Sequence, residues 1–346
     1  MRSQWTLRWL PFMVMAPVAL IDLMAGPALG FLPLLTLGPS FGSVYGSVRR
    51  TALIGAVALA ICIPLAYYNG SLLKWQNNLT IATIVSATGA SMLVSHLRLK
   101  RERELASVRL VAETAQRVLL RPVPRKAADL QVALSYTSAA AEARIGGDLY
   151  EVVITPHGVR LLVGDVQGKG LDAVETAAWV LGAFREAAYD EPALDDVSER
   201  LESSLSRHLS GEKFVTAIIA EVRPGEIVLL NHGHPAPLLL TAEGKACTVE
   251  PPAEALPLGL GPLGTDRPKA HRVPFLEGDR ILLFTDGVVE ARDDSGTFYP
   301  LNDRLHLLRS DEPQEALDSL RADLVAHTGG PLPDDAAMLL LRRHAR

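Results

Sequence analysis

Cysteine is almost absent from this chain of 346 residues: Cys62 lies inside an apolar run and Cys247 far into the more polar part. Two cysteines so far apart exclude a disulfide framework and a cysteine-based zinc site, and they suit a reducing compartment. Excess basic charge is also lacking. The formal net charge is -5, so there is no electrostatic footprint of nucleic-acid binding. A nucleotide-binding phosphate loop is missing as well, because the Gly-Lys pair in GDVQGKG (Gly164 to Gly170) has neither the four-residue spacing nor a following Ser or Thr. Charge of either sign is scarce in the first hundred or so residues, whereas the remainder has the mixed charge of a soluble domain. With 48% hydrophobic residues the chain has ample material for a core, and its length suits about two domains.

What fills the charge-poor part is a series of apolar stretches: Leu10 to Met24, Ala28 to Tyr45, Thr51 to Tyr68 and Leu79 to Leu97. A membrane-spanning helix needs roughly 17 to 25 predominantly apolar residues. The last two stretches meet this well; the first two are interrupted by Pro17, Pro27, Pro33 and Pro39. The expectation is about four spans. Arg2 and Arg8 precede the first, Arg49 and Arg50 join the second and third, and Arg98, Lys100, Arg101 and Arg103 follow the fourth. All three clusters then fall on one side, which the positive-inside rule makes the cytoplasm, leaving only Lys74 among the basic residues opposite. A cleaved signal peptide is the competing reading of the first run. Asp22 within it is either an intramembrane carboxylate with a function or a residue near the far interface.

From Leu97 to about Leu120, Leu97, Leu105, Val108, Val111, Ala112, Ala115, Val118 and Leu119 recur at near-helical spacing without Gly or Pro. This amphipathic helix continues out of the last span. Its stripe suits pairing with a second copy as a dimerising stalk, or packing on its own domain. Arg121-Pro-Val-Pro-Arg125 ends it.

Beyond Ala128, short β-rich runs alternate with amphipathic helices. Strands are expected at Gln131 to Tyr136, Tyr150 to Ile154, Val159 to Val163, Val215 to Val222, Ile227 to Asn231, Pro237 to Thr241, Arg280 to Thr285 and Ala337 to Leu341. Helices are expected from Gly170 to about Ala188, Leu194 to Leu209, Leu301 to about Arg309 and Pro313 to Thr328. Strands outnumber helices, and tight turns such as Pro224-Gly225 and Glu243-Gly244 join neighbours. The class is α+β, with antiparallel sheets covered by helices.

Four acidic motifs punctuate this part: GGDLYE (Gly146 to Glu151), GDVQGKG, TDGVVEAR (Thr285 to Arg292) and PDDAAML (Pro333 to Leu339). Each sets an aspartate where a buried strand ends in a tight turn. Separated aspartates converging at strand ends suit hard divalent cations, which prefer carboxylate, carbonyl and water oxygens. GGDLYE shares its opening with the GGDEF signature of diguanylate cyclases, but Leu149 stands where that signature has glutamate. His232 and His234 alternate at a strand end; two histidines without a third ligand make a poor zinc site and suit a structural turn.

In kind and order, the four motifs resemble those of the metal-dependent serine/threonine protein phosphatases of PPM type, in their bacterial SpoIIE-like branch. The resemblance covers about Ala128 to Arg342 and includes FVTAIIAEV, NHGHPAPLLL, PLGLG and GDRILLFTDGVVEAR. It implies a sandwich of two antiparallel β-sheets flanked by helices, holding two Mn²⁺ or Mg²⁺ ions in a cleft at one edge. Asp165, helped by the Val166 carbonyl, would bridge both ions; Asp148 would bind directly or through water; Asp286 and Asp334 would complete the metal set. Asp165, Asp148 and Lys169 are then the candidate catalytic residues. Lys169 stands where the family has histidine, and Ala337 where it has Ser or Thr. Arg144, two residues before the GGD, is a candidate phosphate contact through its planar donor fork, or else a surface ion-pair partner.

The sequence thus divides into a membrane region (1–97), a linker or stalk helix (98–127) and a PPM-type phosphatase domain (128–346). The expected activity is hydrolysis of phosphoserine or phosphothreonine on a regulatory partner protein, an anti-sigma-factor antagonist or a similar switch, at the cytoplasmic face of the inner (plasma) membrane. The alternative from a different class is a catalytically weak or inactive membrane-tethered phosphoprotein-binding module. A homodimer through the stalk is the further partner expected, and no nucleic acid.

Overall fold

The structure is a computed structural model that describes residues 2–25, 31–70, 75–138, 146–208, 213–261, 264 and 267–344. The chain divides into two compact units, Met1–Val108 and Arg109–Arg346.

The first unit holds helices α1 (Arg2–Ala25), α2 (Leu37–Tyr45), α3 (Val48–Tyr68) and the upstream part of α4 (Trp75–Leu119). Two of these, α3 and α4, are long and apolar enough to cross a membrane; α1 has a shorter apolar stretch, Trp9–Met24. The expected second span is not one helix among the described residues. It is a 3₁₀ turn, Leu32–Thr36, followed by the nine residues of α2. Nine residues rise only about 14 Å, short of the ~30 Å of a bilayer core. Gly38 and Gly42 let this short helix approach its neighbours, for a Cβ at Gly38 would lie 2.1 Å from Met15 Sδ and one at Gly42 2.7 Å from Ile54 Cδ1. Asp22, the run's one carboxylate, is buried and accepts from the Phe31 backbone amide and from Asn69 Nδ2, both at 3.1 Å. It ties helix ends together. At another point Arg98 Nη2 caps α2 by donating to the Gly46 carbonyl at 2.8 Å, which sets Arg98 beside the turn that carries Arg49 and Arg50.

The second unit is a two-sheet sandwich. One sheet has the order β1-β2-β11-β10-β7-β8, built from Lys126–Ala127, Leu130–Thr137, Ala336–Arg343, Arg280–Phe284, Leu238–Leu240 and Ala246–Thr248. The other runs β3-β4-β5-β6-β9, from Asp148–Thr155, Gly158–Val166, Val215–Arg223, Glu226–His232 and His271–Pro274. All pairings are antiparallel.

Strand alternation explains the layering. Ala337, Leu339 and Leu341 of β11, with Ile281 and Leu283 of β10, join the core between the sheets. The intervening Ala336, Met338 and Leu340, with Leu282 and Phe284, face a second core under α8 (Pro313–His327) and the 3₁₀ segment Leu301–Arg309. The other sheet is covered by α5 (Leu171–Asp190) and α6 (Leu194–His208), whose Val180, Leu181, Phe184, Val197, Leu201 and Leu205 are wholly buried. Each such side chain stabilises the fold by about 1.5–3 kcal/mol.

Candidate active site

Each acidic motif ends a strand or starts the element that follows. Asp148 opens β3 and lies directly opposite Asp165, near the end of β4; opposed residues share a face of the sheet. Asp286 opens α7 (Asp286–Val289), immediately after β10 and Thr285. Asp334 and Asp335 lead into β11, which pairs with β10. Two aspartates therefore come from each sheet's strand ends, and a hydrogen bond joins the two sheets: Thr285 Oγ1 donates to Asp148 Oδ2 at 2.8 Å.

Local backbone makes this approach feasible. A Cβ on Gly147 would lie 2.2 Å from the Val166 carbonyl oxygen and 2.7 Å from Asp165 Oδ1. Only glycine admits that contact, and the Val166 amide donates to the Gly147 carbonyl at 3.1 Å. The turn from β4 into α5 uses Gly168 and Gly170 at φ of 99° and 89°, a region L-residues avoid.

The carboxylates crowd one another electrostatically. Burial, then the Asp165 charge, holds the Asp148 carboxyl well above the usual range, with the Thr285 hydrogen bond opposing. Burial, then Asp286 and Asp334, pushes Asp165 up to about 7, with Lys169 opposing. Asp286 is raised by burial and by Asp334. Lys169, in the β4–α5 turn, reaches across to Asp334: Nζ lies 2.5 Å from Oδ2, both side chains being partly exposed. Asp335 points inward instead, is buried, and accepts from the Tyr136 hydroxyl.

Among the described residues, no three His, Cys, Asp or Glu side chains stand close enough to hold a metal ion as they are placed. The donor chemistry nonetheless fits hard divalent cations: Asp148, Asp165, Asp286, Asp334 and the Val166 carbonyl are all oxygen donors. Burial and the repulsion of neighbouring carboxylates make Asp148, Asp165 and Asp286 weaker acids than usual, and a bound cation would offset that repulsion. Arg144 lies outside the described residues.

The two histidines serve the scaffold. His234 Nε2 meets the Phe284 carbonyl at 3.1 Å and Nδ1 meets Thr216 Oγ1 at 3.0 Å. The carbonyl fixes the ring proton on Nε2, so Nδ1 accepts from the threonine hydroxyl. Thr216 pairs with Asp165, and Phe284 precedes Thr285-Asp286. His234 thereby clamps two aspartate-bearing strand ends. His232 Nε2 pairs with Ser198 Oγ of α6 at 2.9 Å.

Sequence reasoning missed the residues that brace the carboxylates. Ala337 indeed lacks a hydroxyl, but Thr285 supplies one: its Oγ1 accepts from the Ala337 amide at 2.9 Å while donating to Asp148. The Thr-Asp adjacency was visible in the TDGVVEAR motif; its partner 137 residues away was not.

The sequence model of the family described as Stage II sporulation protein E (SpoIIE) matches residues 155–344, more than half of the chain. The motif containing Asp148 precedes that match. Among solved structures, the RsbU and RsbW domains of Rv1364c from Mycobacterium tuberculosis align at 27% identity and a TM-score of 0.52, covering 62% of this chain and 60% of that one. The PP2C phosphatase domain with a regulatory-domain fragment of SpoIIE from Bacillus subtilis aligns at 15% identity and 0.53, covering 63% and 64%. The SiaA PP2C domain of Pseudomonas aeruginosa aligns at 16% and 0.57, covering 70% and 98%. The chain thus spans less than two thirds of the first two structures' lengths, and the latter two likenesses concern the fold alone. With a two-sheet sandwich of PP2C type and a family match over most of it, this chain belongs to the SpoIIE family of phosphatase domains.

Proposed function

We propose that the protein is a membrane-anchored, cytoplasm-facing serine/threonine phosphatase that hydrolyses a phosphorylated regulatory protein. The observation that carries this reading is the opposition of Asp148 and Asp165, joined by Asp286 and Asp334, in a domain of the SpoIIE family. Asp148, Asp165, Asp286, Asp334 and the Val166 carbonyl would hold two Mn²⁺ or Mg²⁺ ions. When bound, such ions supply an activated water and neutralise phosphate charge. The protein's own contribution is to fix the carboxylates: Thr285 orients Asp148, the Gly147–Val166 approach fixes Asp165, and Lys169 pairs with Asp334. Lys169 also presents a cation for a substrate phosphate; Arg144, outside the described residues, is kept as a candidate phosphate contact on its place in the sequence alone, two residues before the GGD.

Membrane anchoring is supported by α3 and α4, and by Arg98 lying at the helix ends that carry Arg49 and Arg50. In this reading residues 1–97 form the membrane region, 98–127 the stalk and 128–346 the phosphatase domain. Leu105, Val108, Val111 and Val118 of α4 are half or more exposed in the single chain, which supports a homodimer through the stalk. The partner class proposed, an anti-sigma-factor antagonist or similar switch protein, is supported by the family and by likeness to a chain with RsbU and RsbW domains.

A second reading, a phosphoprotein-binding module without turnover, is favoured by the Lys169–Asp334 pair, in which a protein cation already occupies one acidic donor. The deciding experiment is Mn²⁺-dependent release of phosphate from a phosphoserine peptide by the full-length chain, with Asp165→Ala as control. Turnover that Asp165→Ala abolishes supports the phosphatase. Equal rates in both proteins refute catalysis at this site, and phosphopeptide binding without turnover establishes the second reading.

A further inference from the structure

Gln116 sits near the C-terminal end of α4 and is nearly buried. Its side-chain amide donates to the Tyr136 hydroxyl at 2.8 Å and to the Gly146 carbonyl at 3.3 Å. The Tyr136 hydroxyl in turn donates to Asp335 Oδ2. These directions are forced, because an amide NH₂ only donates and a carboxylate only accepts. Burial and the Asp335 charge push the Tyr136 phenol far up, so it keeps the proton it donates.

The contact points are the acidic motifs themselves. Gly146 begins the turn that carries Asp148, and Asp335 follows Asp334. Asp335 is gripped between two backbones: a Cβ on Gly146 would lie 2.3 Å from its Oδ2, and a Cβ on Gly287, next to Asp286, 1.8 Å from its carbonyl oxygen. One amide on α4 therefore touches an assembly that includes segments from three of the four acidic motifs. The helix is itself held at this level. Ala112, Ala115 and Leu119 pack with Val174 of α5, and Arg185 Nη2 donates to the Leu119 carbonyl at 3.0 Å.

We propose that Gln116 is a positioning residue for the acidic site, setting the placement of the Gly146–Asp148 turn directly and of Asp334–Asp335 through Tyr136. The proposal rests on the metal-dependent reading above. Its consequence is that the site is complete only when α4 presents this face. Turning the helix by one residue moves a side chain through about 100°, which carries the amide away from both acceptors.

The test uses the full-length chain in detergent, with Gln116→Met, which keeps length and loses the donor, and Tyr136→Phe, which removes the bridging hydroxyl. Hydrogen exchange is measured without metal on peptides covering 146–151 and 163–168, the latter containing the Val166 amide bonded to the Gly147 carbonyl. Mn²⁺ affinity is measured separately by electron paramagnetic resonance. Gln116→Met is expected to accelerate exchange in both peptides while β5 and β6 stay protected, and to weaken Mn²⁺ binding by about 10- to 100-fold, the usual range for an outer-sphere partner. The Gln116→Met/Tyr136→Phe double variant is expected to match the weaker single variant, as members of one network do. Parent-like exchange in Gln116→Met, or fully additive losses, overturns the proposal. Failure of the parent to bind Mn²⁺ overturns the metal reading instead, and the exchange result still decides whether Gln116 positions the turn.

Discussion

Replacing Thr285 with valine retains the shape of a fully buried side chain and deletes one hydroxyl that does two tasks. It donates to Asp148 Oδ2 at 2.8 Å and accepts from the Ala337 amide at 2.9 Å. A hydrogen bond to a charged group contributes roughly 1.5–3 kcal/mol, and a buried donor left without an acceptor costs about 1–3 kcal/mol. The first figure shrinks in metal-free protein. Burial and Asp165 raise the Asp148 carboxyl, lowering its charged fraction, so the bond contributes nearer ~1 kcal/mol, as a neutral one does. The expected loss of stability without metal is therefore about 2–4 kcal/mol. With Mn²⁺ bound the carboxylate is ionised and the full cost returns. Mn²⁺ should then bind about 10- to 100-fold more weakly and protect the variant less than the parent. Thermal unfolding of the full-length chain with and without Mn²⁺ reads both effects. Thr285→Ser keeps the hydroxyl and should lose only about 1 kcal/mol for its missing methyl. The reasoning is refuted if the valine variant melts like the parent and gains as much from Mn²⁺, or if serine behaves like valine.

The contrast between what the acidic motifs reveal and what Thr285 conceals is one of range along the chain. Strands β4, β5 and β11 are legible because apolar residues run through both faces, and Gly-rich turns bound them. Strands Ala246–Thr248 and His271–Pro274 escape notice because the first is exposed throughout and the second buries only Val273. Helix α7 escapes because four residues, Asp286 to Val289, give no helical period. In the second apolar stretch the interruptions by Pro33 and Pro39 were legible, but the division of its described residues into a 3₁₀ turn and a short helix packed through Gly38 and Gly42 was not, because those close contacts are tertiary. The aspartates themselves are legible as contiguous signatures. Their supports are not: Tyr136 meets Asp335 across 199 residues, and Gln116 meets Gly146 from a helix whose periodicity reports only its apolar stripe. Hydrogen-bond partners at such separations are set by the register of β2 with β11 and of β3 with β4, which no local pattern encodes.

Two further predictions concern buried charge. Arg160 is wholly buried, donates to Glu221 Oε2 at 2.7 Å and caps the carbonyls of Ala188, Glu191 and Pro192. Arg160→Met leaves Glu221 buried with only Arg223 and frees the α5–α6 connection, and should cost about 3–5 kcal/mol in denaturant unfolding; a loss under about 1 kcal/mol contradicts it. The other concerns His234, which burial pushes down to about 4 from 6.5, its bond to the Phe284 carbonyl opposing. A histidine depressed in the folded state binds fewer protons there than in the unfolded chain. Its contribution is therefore fully present above pH 6.5, falls as pH drops from 6.5 to about 4, and then levels off. At pH 5 the deficit is about 2 kcal/mol, from ~1.4 kcal/mol per pH unit. Asp148 and Asp165, whose carboxyls are held above the usual range, act with the opposite sign, so the parent's pH profile alone does not isolate the histidine. His234→Gln does, because an amide can still donate to Phe284 and accept from Thr216 but does not titrate. Between pH 7.5 and 5 the parent should lose about 2 kcal/mol more than this variant in urea unfolding. Parallel curves for the two proteins would mean that His234 is not held neutral between the sheets.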